Sequence, residues 1–560
     1  MLQTAAKQPM ASGEAMRDLE IPRQVWRPGP AGSVLSFLLL CVAASAQTMN
    51  LMVPMRDGVK LHTLVYLPEG QGPWPVVLTR TPYELARSAD ARQYTGNGYA
   101  RVLQNVRGQF KSEGKYGSFP DDINDGYDTV EWAAKQTWST GKIGMIGGSA
   151  PGIAANMAAL SGAPHLAAAV VTVATGSGYR HAQYPGGIFL KQMNELWMKG
   201  RGIEPSAAPR PLFRTYDEEA RRTDMRNSYS KIAVPTINIG GWYDIFGQGN
   251  IDNFVGLQSQ GAGNAKGHQR LVMGAFGHGE LSGEITYPKE ASDRHGQDAF
   301  RWFDYWLKGI DNGIAKEAPV RYYLMGDTRD KSAPGNEWRS SATWPVKSTA
   351  TPYYLHGGGK ILLTAPTAAE KDTFAYDPRN PIPTVGGNNL NLPKGPMDQR
   401  KVSARPDVLK YETAPLSAAV EVAGQIFAEL FVSTDAEDTD FLVKLVDVYP
   451  DGYEALLVDQ GIRLRYHQGL EKESRVEKNK TYAVKVDLWS TAVVFNKGHK
   501  IAVHISSSNA PRFEPHSNTW NPVKSYDQAV IANNTVHRAP RQASRILLPV
   551  TKIYDSRPSN

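Results

Sequence analysis

The sequence contains very little cysteine: Cys41 is the one cysteine among 560 residues. It lies inside a short apolar run, Ser33–Ala46, that ends in a small-x-small pattern before Gln47. This pattern is typical of a signal peptide with its cleavage site. A mature chain that begins at Gln47 holds no cysteine, which excludes disulfide bonds and a cysteine nucleophile.

Long apolar runs and concentrated charge are also missing. The run before Gln47 is too short to cross a bilayer as a helix, so no membrane contact is predicted once the leader is removed. The net charge of +7 is spread without long basic runs, which argues against a nucleic-acid partner.

Arg23 and Arg27 give the apolar run Ser33–Ala46 the positive flank that a signal peptide has. The sequence therefore predicts a periplasmic or secreted protein, and a cytoplasmic one if the leader is not a functional signal.

Signatures of metal ions and cofactors are scarce as well. The histidines show no paired helical spacing, and no glycine loop has the pattern that cradles phosphate. One acidic group lacks the glycine and the terminal glutamate of a calcium loop, and we interpret it as a solvated turn: Asp435, Glu437, Asp438 and Asp440. The sequence thus implies no metal and no cofactor.

What the chain does contain is an alternation of strand and helix patterns up to about residue 315. Buried strands are predicted around the turn Arg56–Gly58 and at 74–79, 99–106, 142–146, 166–173, 234–240 and 271–275, with helices at 121–135 and 292–307. Such alternation is typical of a mostly parallel α/β sheet. Residues 176–231 interrupt the rhythm with polar, proline-containing sequence and two short helices, and are predicted to form a cap.

From about residue 320 onward the patterns change to period-two alternation between turns, without a convincing long helix. This is typical of a separate β-sandwich of jelly-roll type. The predicted organisation is a leader at 1–46, an α/β core at 47–175 and 232–315, a helical cap at 176–231 and the β-sandwich at 316–560.

The segment Gly144–Asn156 has the pattern of a strand, a sharp turn and a helix, with Ser149 in the turn. A nucleophile elbow has this arrangement, because only small neighbours allow the strand and helix to approach closely around a strained serine. Gly147 fits the pattern. Pro151 occupies the place of the usual second glycine, and Gly152 follows one residue later. Taken alone, such a serine is more often a capping residue.

Two further residues follow at the ends of later strands, in the order that serine catalysis on this kind of sheet requires. Asp244 comes after the strand at 234–240, and His278 comes after the strand at 271–275. Ser149 would attack an acyl carbonyl, His278 would transfer its proton, and Asp244 would orient the imidazole. The alternative is that Asp244 caps a helix and His278 is one of the other structural histidines.

The chain resembles the CocE/NonD family of hydrolases, which includes cocaine esterase and glutaryl acylase and is related to the X-prolyl dipeptidyl-peptidases. The resemblance covers nearly all of the chain after the leader. Besides the elbow at Ser149, it is carried by Arg80–Tyr83, Val106–Gly114, Gly241–Asp244, Gly277–Gly279, Phe303–Gly309, Ser433–Asp435 and Val446–Gly452. It implies an α/β-hydrolase domain with a helical cap insert, followed by a C-terminal jelly-roll domain.

The resemblance also implies an oxyanion hole made by the hydroxyl of Tyr83 and the backbone N–H of Ala150. This chain departs from the family by carrying Ala150 where a tyrosine is common and Asn105 where an aspartate is frequent. We assign Arg107 and Glu113 to a structural network.

These observations predict a cofactor-free serine hydrolase that cleaves carboxylic esters or amides. An X-prolyl dipeptidyl-peptidase or an amino-ester hydrolase of the same family is an alternative. From another class, the alternative is a non-catalytic protein whose jelly roll binds a ligand. The predicted partner is a small-molecule ester or amide, and the oligomeric state stays open.

Overall fold

The computed structural model describes residues 48–85, 88–117, 119–202, 213–292 and 296–554. The predicted leader, with Cys41 and the apolar run Ser33–Ala46, lies outside the described residues. In the part of the chain that is described, no helix is both long enough and apolar enough to cross a membrane.

The first sheet is built from the strands that the sequence predicts up to residue 275 and from two later ones. Its ten strands are β1 (Thr48–Pro54), β2 (Lys60–Tyr66), β3 (Trp74–Thr81), β4 (Ala100–Asn105), β5 (Ser139–Gly148), β6 (Leu166–Thr172), β7 (Thr236–Tyr243), β8 (Arg270–Gly277), β9 (Val320–Leu324) and β10 (Glu337–Ser341). β9 and β10 join this sheet beyond residue 316, the predicted start of the β-sandwich.

The strand order in this sheet is β1-β2-β4-β3-β5-β6-β7-β8-β9-β10. The pairs from β4 through β9 are parallel, and the outer pairs are antiparallel. Every residue of β7 and of β8 is buried, as expected for central parallel strands covered on both faces. Parallel strands bring their carboxyl ends to one edge of the sheet, and β5, β7 and β8 end there just before Ser149, Asp244 and His278.

Most helices belong to the part of the chain that forms this sheet and the insert, and the last one lies in the C-terminal region. Their bounds are α1 (Ser88–Thr95), α2 (Asp122–Ala134), α3 (Ala150–Leu160), α4 (Lys191–Lys199), α5 (Glu218–Arg222), α6 (Gly247–Gln260), α7 (Gly296–Phe303) and α8 (Arg400–Ser403). α2 confirms the helix predicted at 121–135, with Asp122 and Asp125 in its first turn. α7 continues into a wider helical turn, Asp304–Lys308, so helical structure ends one residue beyond the predicted limit.

The second sheet forms the β-rich C-terminal region. Its strands are β11 (Thr349–His356), β12 (Lys360–Leu362), β13 (Glu370–Tyr376), β14 (Leu409–Glu412), β15 (Ala419–Thr434), β16 (Asp440–Val448), β17 (Glu454–Arg463), β18 (Tyr482–Phe495), β19 (Lys500–Ser506), β20 (Ala532–Ala539), β21 (Gln542–Ala543) and β22 (Arg545–Tyr554). The α/β domain followed by a β-rich domain is confirmed, whereas the jelly-roll connectivity stays a prediction.

The two sheets share a hydrophobic core. Trp242 of β7 packs against Trp344, with ring centroids 5.6 Å apart. Met325, just after β9, exchanges backbone hydrogen bonds with Ala492 and Val494 of β18, at 3.0 and 2.9 Å. The β-rich region is therefore hydrogen-bonded to the end of β9, which belongs to the same sheet as the strand that precedes Asp244.

Candidate active site

Ser149 lies in a strained turn between β5 and α3. Its backbone has φ 58° and ψ −128°, which non-glycine residues rarely adopt and which costs on the order of 1–3 kcal/mol. The Ser149 N–H donates to Thr172 O at 3.0 Å, and the Ser149 carbonyl accepts the Ile153 N–H at 2.9 Å. These two bonds join the turn to β6 and to the first turn of α3.

Two glycines make this turn possible. A Cβ on Gly147 would lie 2.7 Å from Gly152 N, and a Cβ on Gly152 would lie 2.7 Å from the Cβ of Ala174 and 2.9 Å from Gly147 O. Gly152 therefore provides the close approach that the usual second glycine gives, although it stands one residue later. Pro151 sits in the first turn of α3, where an N–H has no partner within the helix.

The structure brings Ser149, His278 and Asp244 into one hydrogen-bonded chain. His278 Nε2 lies 2.9 Å from Ser149 Oγ, and His278 Nδ1 lies 2.7 Å from Asp244 Oδ2. The Asp244 side chain is fully buried, and the His278 side chain is 13% exposed. A proton can therefore pass between serine and imidazole while the carboxylate holds the other ring nitrogen.

The carboxylate of Asp244 is aimed by its own turn. Its Oδ1 accepts the Phe246 N–H at 2.7 Å, which leaves Oδ2 for His278. The Phe246 ring meets the His278 ring edge to face, with centroids 5.8 Å apart. The Phe246 ring thus packs against the His278 imidazole and restricts the rotation of that imidazole.

The two residues implied for an oxyanion hole take different places. Ala150 is the first residue of α3, so its N–H has no partner within the helix, and it lines the same cavity as Ser149. Tyr83 follows β3, the neighbour of β5, and does not belong to the residues lining that cavity. Asn105 Nδ2 donates to the Tyr83 carbonyl at 2.7 Å, and the Arg201 guanidinium lies 4.7 Å from the Tyr83 ring centroid.

The cavity at Ser149 is covered by the insert. Its lining from the described part of the insert is Gly178, Tyr179, Ala182, Gln183, Met193, Asn194, Trp197, Arg214, Glu219, Ala220 and Thr223. Phe119 and Trp197 stack in its wall, with centroids 5.7 Å apart and planes 27° apart. The empty volume, with the open mouth included, is about 1030 Å³. The site is a mostly apolar, partly aromatic pocket.

The charged groups at this pocket are already paired. Arg214 Nη2 donates to Glu219 Oε2 at 2.9 Å, and Arg214 also holds Asp217 with bonds of 2.8 and 2.9 Å. Glu195 of α4 lies outside the lining, where burial raises its pKa. Glu204 lies outside the described residues.

The chain is similar to known proteins over most of its length. Residues 57–213 match the family model of the X-Pro dipeptidyl-peptidases, S15 family, and residues 312–547 match the model of the X-Pro dipeptidyl-peptidase C-terminal non-catalytic domain. The cocaine esterase of Rhodococcus sp. (strain MB1 Bresler) is 35% identical, an alignment that covers 90% of this chain and 98% of that protein. The chain belongs to the CocE/NonD family of hydrolases. It is a serine hydrolase.

Solved structures share the fold of this chain. An α-amino acid ester hydrolase is 26% identical and superposes with a TM-score of 0.75, over 92% of this chain and 98% of that chain. An aminopeptidase from a marine sediment archaeon of the Thaumarchaeota superposes with a TM-score of 0.77, over 94% of this chain and 99% of that chain. The latter is 23% identical and shows the fold alone.

The β-rich region of this CocE/NonD hydrolase also reaches the site, which the sequence did not reveal. Leu390 lines the cavity, and Asn388 Nδ2 donates to the Asp244 carbonyl at 2.8 Å. Both residues lie in a Gly-Gly-Asn-Asn-Leu stretch whose composition indicates only a turn. Sequence spacing carries no signal for a contact between residues 144 positions apart.

The structural role assigned to Arg107 and Glu113 is confirmed. Arg107 pairs with Asp125 and Asp57, each at 2.7 Å, and Glu113 Oε2 accepts the Lys60 N–H at 3.0 Å. The network ties the loop after β4 to α2 and to the β1–β2 turn.

The interpretation of the acidic group near residue 438 as a solvated turn is wrong for two of its members. Asp438 and Asp440 are buried and pair with Arg465 and Arg463, at 2.5 and 2.8 Å. Burial acts to raise the pKa of Asp438, but His516 and Arg465 together lower it to about 2. Among the described residues, no group of three or more potential ligand side chains could hold a metal ion.

Proposed function

We propose that this hydrolase cleaves carboxylic esters through an acyl-enzyme on Ser149. The observation that carries the proposal is the hydrogen-bonded chain from Ser149 Oγ through His278 to Asp244. Ser149 attacks the carbonyl carbon as His278 Nε2 takes its proton, and His278 returns that proton to the departing alcohol oxygen. Asp244 keeps the imidazole in orientation and stabilises its cationic form. A water molecule then releases the acid by the same sequence.

The oxyanion formed at the carbonyl oxygen would be held by the Ala150 N–H and the Tyr83 hydroxyl. Support for Ala150 comes from its place at the start of α3, beside Ser149 in the cavity. Support for Tyr83 comes from its position after β3, in a loop fastened by Asn105 and by Arg201, whose Nη1 donates to Pro82 O at 2.7 Å. One such donor is worth about 3–4 kcal/mol in the transition state.

The pocket supports an uncharged, apolar acyl group as the preferred substrate part. Phe119, Trp197, Ile153, Met157 and Phe246 line it with aromatic and aliphatic surface. A flat or aliphatic acyl group gains from leaving water there, at roughly 25 cal/mol per Å² of buried apolar surface. The relative that is named cocaine esterase is in keeping with such a substrate.

Cleavage of peptides or amino-acid esters with a free α-ammonium group is the second candidate, because residues 57–213 match the S15 peptidase model. A buried ammonium group needs a carboxylate partner. Glu219 is the acid in the described lining, and it already pairs with Arg214. This pairing favours the uncharged ester.

The proposal is tested with a fluorophosphonate probe and a substrate panel on the purified protein. We expect covalent labelling at Ser149, found by mass spectrometry of the labelled peptide, and no labelling of Ser149→Ala. Aliphatic and aromatic esters are then compared with matched amides and with amino-acid esters. A wild-type protein that resists the probe and hydrolyses none of these would instead support a binding protein with a degenerate hydrolase domain.

We also propose that the chain is exported and cleaved before Gln47. The apolar run Ser33–Ala46 with its positive flank supports this. N-terminal sequencing of the protein from cell fractions checks it, and an uncleaved cytoplasmic chain would contradict it.

A further inference from the structure

One hairpin of the β-rich region contacts both loops that carry the acid and the histidine. This hairpin, residues 386–397, is closed by Gly387 N donating to Gly395 O at 2.9 Å and Gly395 N donating to Gly387 O at 3.1 Å. It falls within the segment that matches a non-catalytic domain model. Its two arms nevertheless contact the turn after β7 and the loop after β8.

The first arm contacts the turn that carries Asp244, residues 244–247, through the side chain of Asn388. The Asn388 amide nitrogen donates to the carbonyls of Asp244 at 2.8 Å and Trp242 at 3.2 Å. Asn388 is 6% exposed. The pairing of β7 with β6 ends at Ile239, whereas β7 stays paired with β8 as far as Tyr243. On the side that β6 leaves uncovered, the two hydrogens of the Asn388 amide can serve both carbonyls.

The Asn388 bond completes the fixation of Asp244. The Asp244 N–H donates to Gly241 O at 3.0 Å, and its carbonyl also accepts the Gly247 N–H at 3.2 Å. Its Oδ1 accepts the Phe246 N–H. These bonds hold the Asp244 backbone and Oδ1, so that Oδ2 is the carboxylate oxygen left for His278.

The second arm lies against the histidine loop. The Ser282 N–H donates to Lys394 O at 2.8 Å. A Cβ on Gly277 would lie 2.8 Å from the Lys394 Cδ, so the lysine stem rests directly on the residue before His278. The hairpin therefore spans the two loops whose spacing sets the distance between Asp244 and His278.

We propose that Asn388 is a positioning residue for the acid of the triad: its amide holds the Asp244 backbone so that the carboxylate meets His278. The inference rests on the proposed function. Asn388 has no part in the proton transfer, because its amide donates to the backbone carbonyls of Trp242 and Asp244 and not to the Asp244 carboxylate or to His278. If Asn388 positions Asp244 in this way, catalysis depends on the β-rich region.

The first test compares Asn388→Ala with Asn389→Ala. Asn389 is a matched control, because its amide donates to Gly386 O and Pro393 O within the same hairpin, at 2.7 and 2.8 Å, and not to the loops that carry Asp244 and His278. We expect Asn388→Ala to lower kcat about 10- to 100-fold with KM within about threefold of wild type, since misplaced catalytic groups slow the chemistry more than binding. Asn389→Ala should keep kcat within about threefold. Equal losses in both variants would overturn the proposal.

Asn388→Leu serves as a second variant in case Asn388→Ala does not fold. It is close to asparagine in size and has no hydrogen-bond donor in its side chain, so we expect the same loss of kcat, measured on protein whose thermal midpoint is checked first. A folded Asn388→Leu with wild-type kcat would overturn the proposal.

The decisive readout is the combination with Asp244→Ala. If Asn388 acts through the Asp244 carboxylate, Asn388→Ala costs less than about twofold in kcat once that carboxylate is gone. An undiminished 10- to 100-fold loss in the double variant would mean that Asn388 acts elsewhere. Failure of the proposed function has a different signature, because Asp244→Ala alone would then leave kcat unchanged.

Discussion

Gly147 and Gly152 are packed so closely that the carbonyl oxygen of Gly147 stands 2.9 Å from the position of a Cβ on Gly152. Ser149 keeps its φ of 58° because strand and helix meet at this distance on either side of it. The displaced glycine therefore preserves the geometry of the elbow, and Pro151 is accommodated in the helical turn between Ser149 and Gly152.

We predict that Gly152→Ala destabilises the protein and reduces activity, because the added methyl group would overlap Ala174 and the Gly147 carbonyl. The expected cost is about 1–3 kcal/mol, as for other overpacked sites. Gly148→Ala is the matched control: its Cβ would have its nearest neighbour at 3.7 Å, an ordinary contact. Thermal unfolding and kcat on one ester compare the two. A Gly152→Ala variant as stable and active as Gly148→Ala would contradict the close-packing account.

The three residues of the hydrogen-bonded chain could be predicted from the sequence, because each follows a strand that a short stretch of sequence is enough to identify. Ser149, Asp244 and His278 each stand directly after a buried run, and parallel strands end at one edge. The roles of Asn388 and Leu390 could not be predicted, since they depend on how two sheets dock. The burial of Asp438 was missed for a similar reason: its partner Arg465 follows β17, 27 positions away in the chain.

Ser149→Ala and His278→Ala should each lower kcat by several orders of magnitude without unfolding the protein. Only the residual catalysis of the oxyanion donors and of substrate binding would remain. The measurement is kcat on the best ester of the panel, with circular dichroism as the check on folding. Either variant retaining more than about a tenth of wild-type kcat would contradict the assignment.

Tyr83→Phe tests the hydroxyl donor of the proposed oxyanion hole. It removes one oxygen and leaves the ring beneath Arg201, 4.7 Å from the guanidinium. We expect kcat to fall about 100- to 1000-fold, with a much smaller change in KM.

Arg201→Met is the companion variant for Tyr83→Phe, because it keeps the phenol and removes the bond to Pro82 O. A smaller loss than in Tyr83→Phe is expected. Equal kcat in wild type and Tyr83→Phe would mean that another N–H stabilises the oxyanion, with Ser149 still the nucleophile.

His504 of β19 makes stability depend on pH below neutrality. Burial, with the ammonium groups of Lys444 and Lys410 nearby, lowers the pKa of His504 to about 3, although Glu454 Oε2 lies 3.5 Å from its Nε2. The unfolded chain takes up a proton near pH 6.5 and the folded one does not. The stability contributed by neutral His504 is therefore complete above about pH 6.5 and is lost as the pH falls toward 3, by up to about 1.4 kcal/mol per unit.

We therefore expect the Tm of His504→Gln to fall less than the Tm of the wild type when the pH is lowered from 7 to 5. A comparison at pH 8, where the wild-type imidazole is neutral in both states, separates the packing cost of the substitution. Parallel curves for the two proteins would show that His504 does not set this pH dependence.

The last prediction concerns an α-ammonium group on the substrate. Transfer of such a cation from water into the pocket costs several kcal/mol when it is unpaired. The carboxylate of Glu219 is occupied by Arg214, and the residues after Asp244, Ile245 and Phe246, add only apolar lining. We expect kcat/KM for a 3-phenylpropanoate ester to exceed that for the matching phenylalanine ester by at least about tenfold near neutral pH.

Arg214→Gln gives this prediction a control within the chain. The substitution removes the cation that holds Glu219, so the carboxylate becomes free to pair with the substrate ammonium. The ratio of kcat/KM for the uncharged ester to that for the cationic ester should then fall, even if both rates drop. A wild-type enzyme that cleaves the phenylalanine ester faster would show that another acid binds the ammonium, and an unchanged ratio in Arg214→Gln would show that Glu219 does not face it.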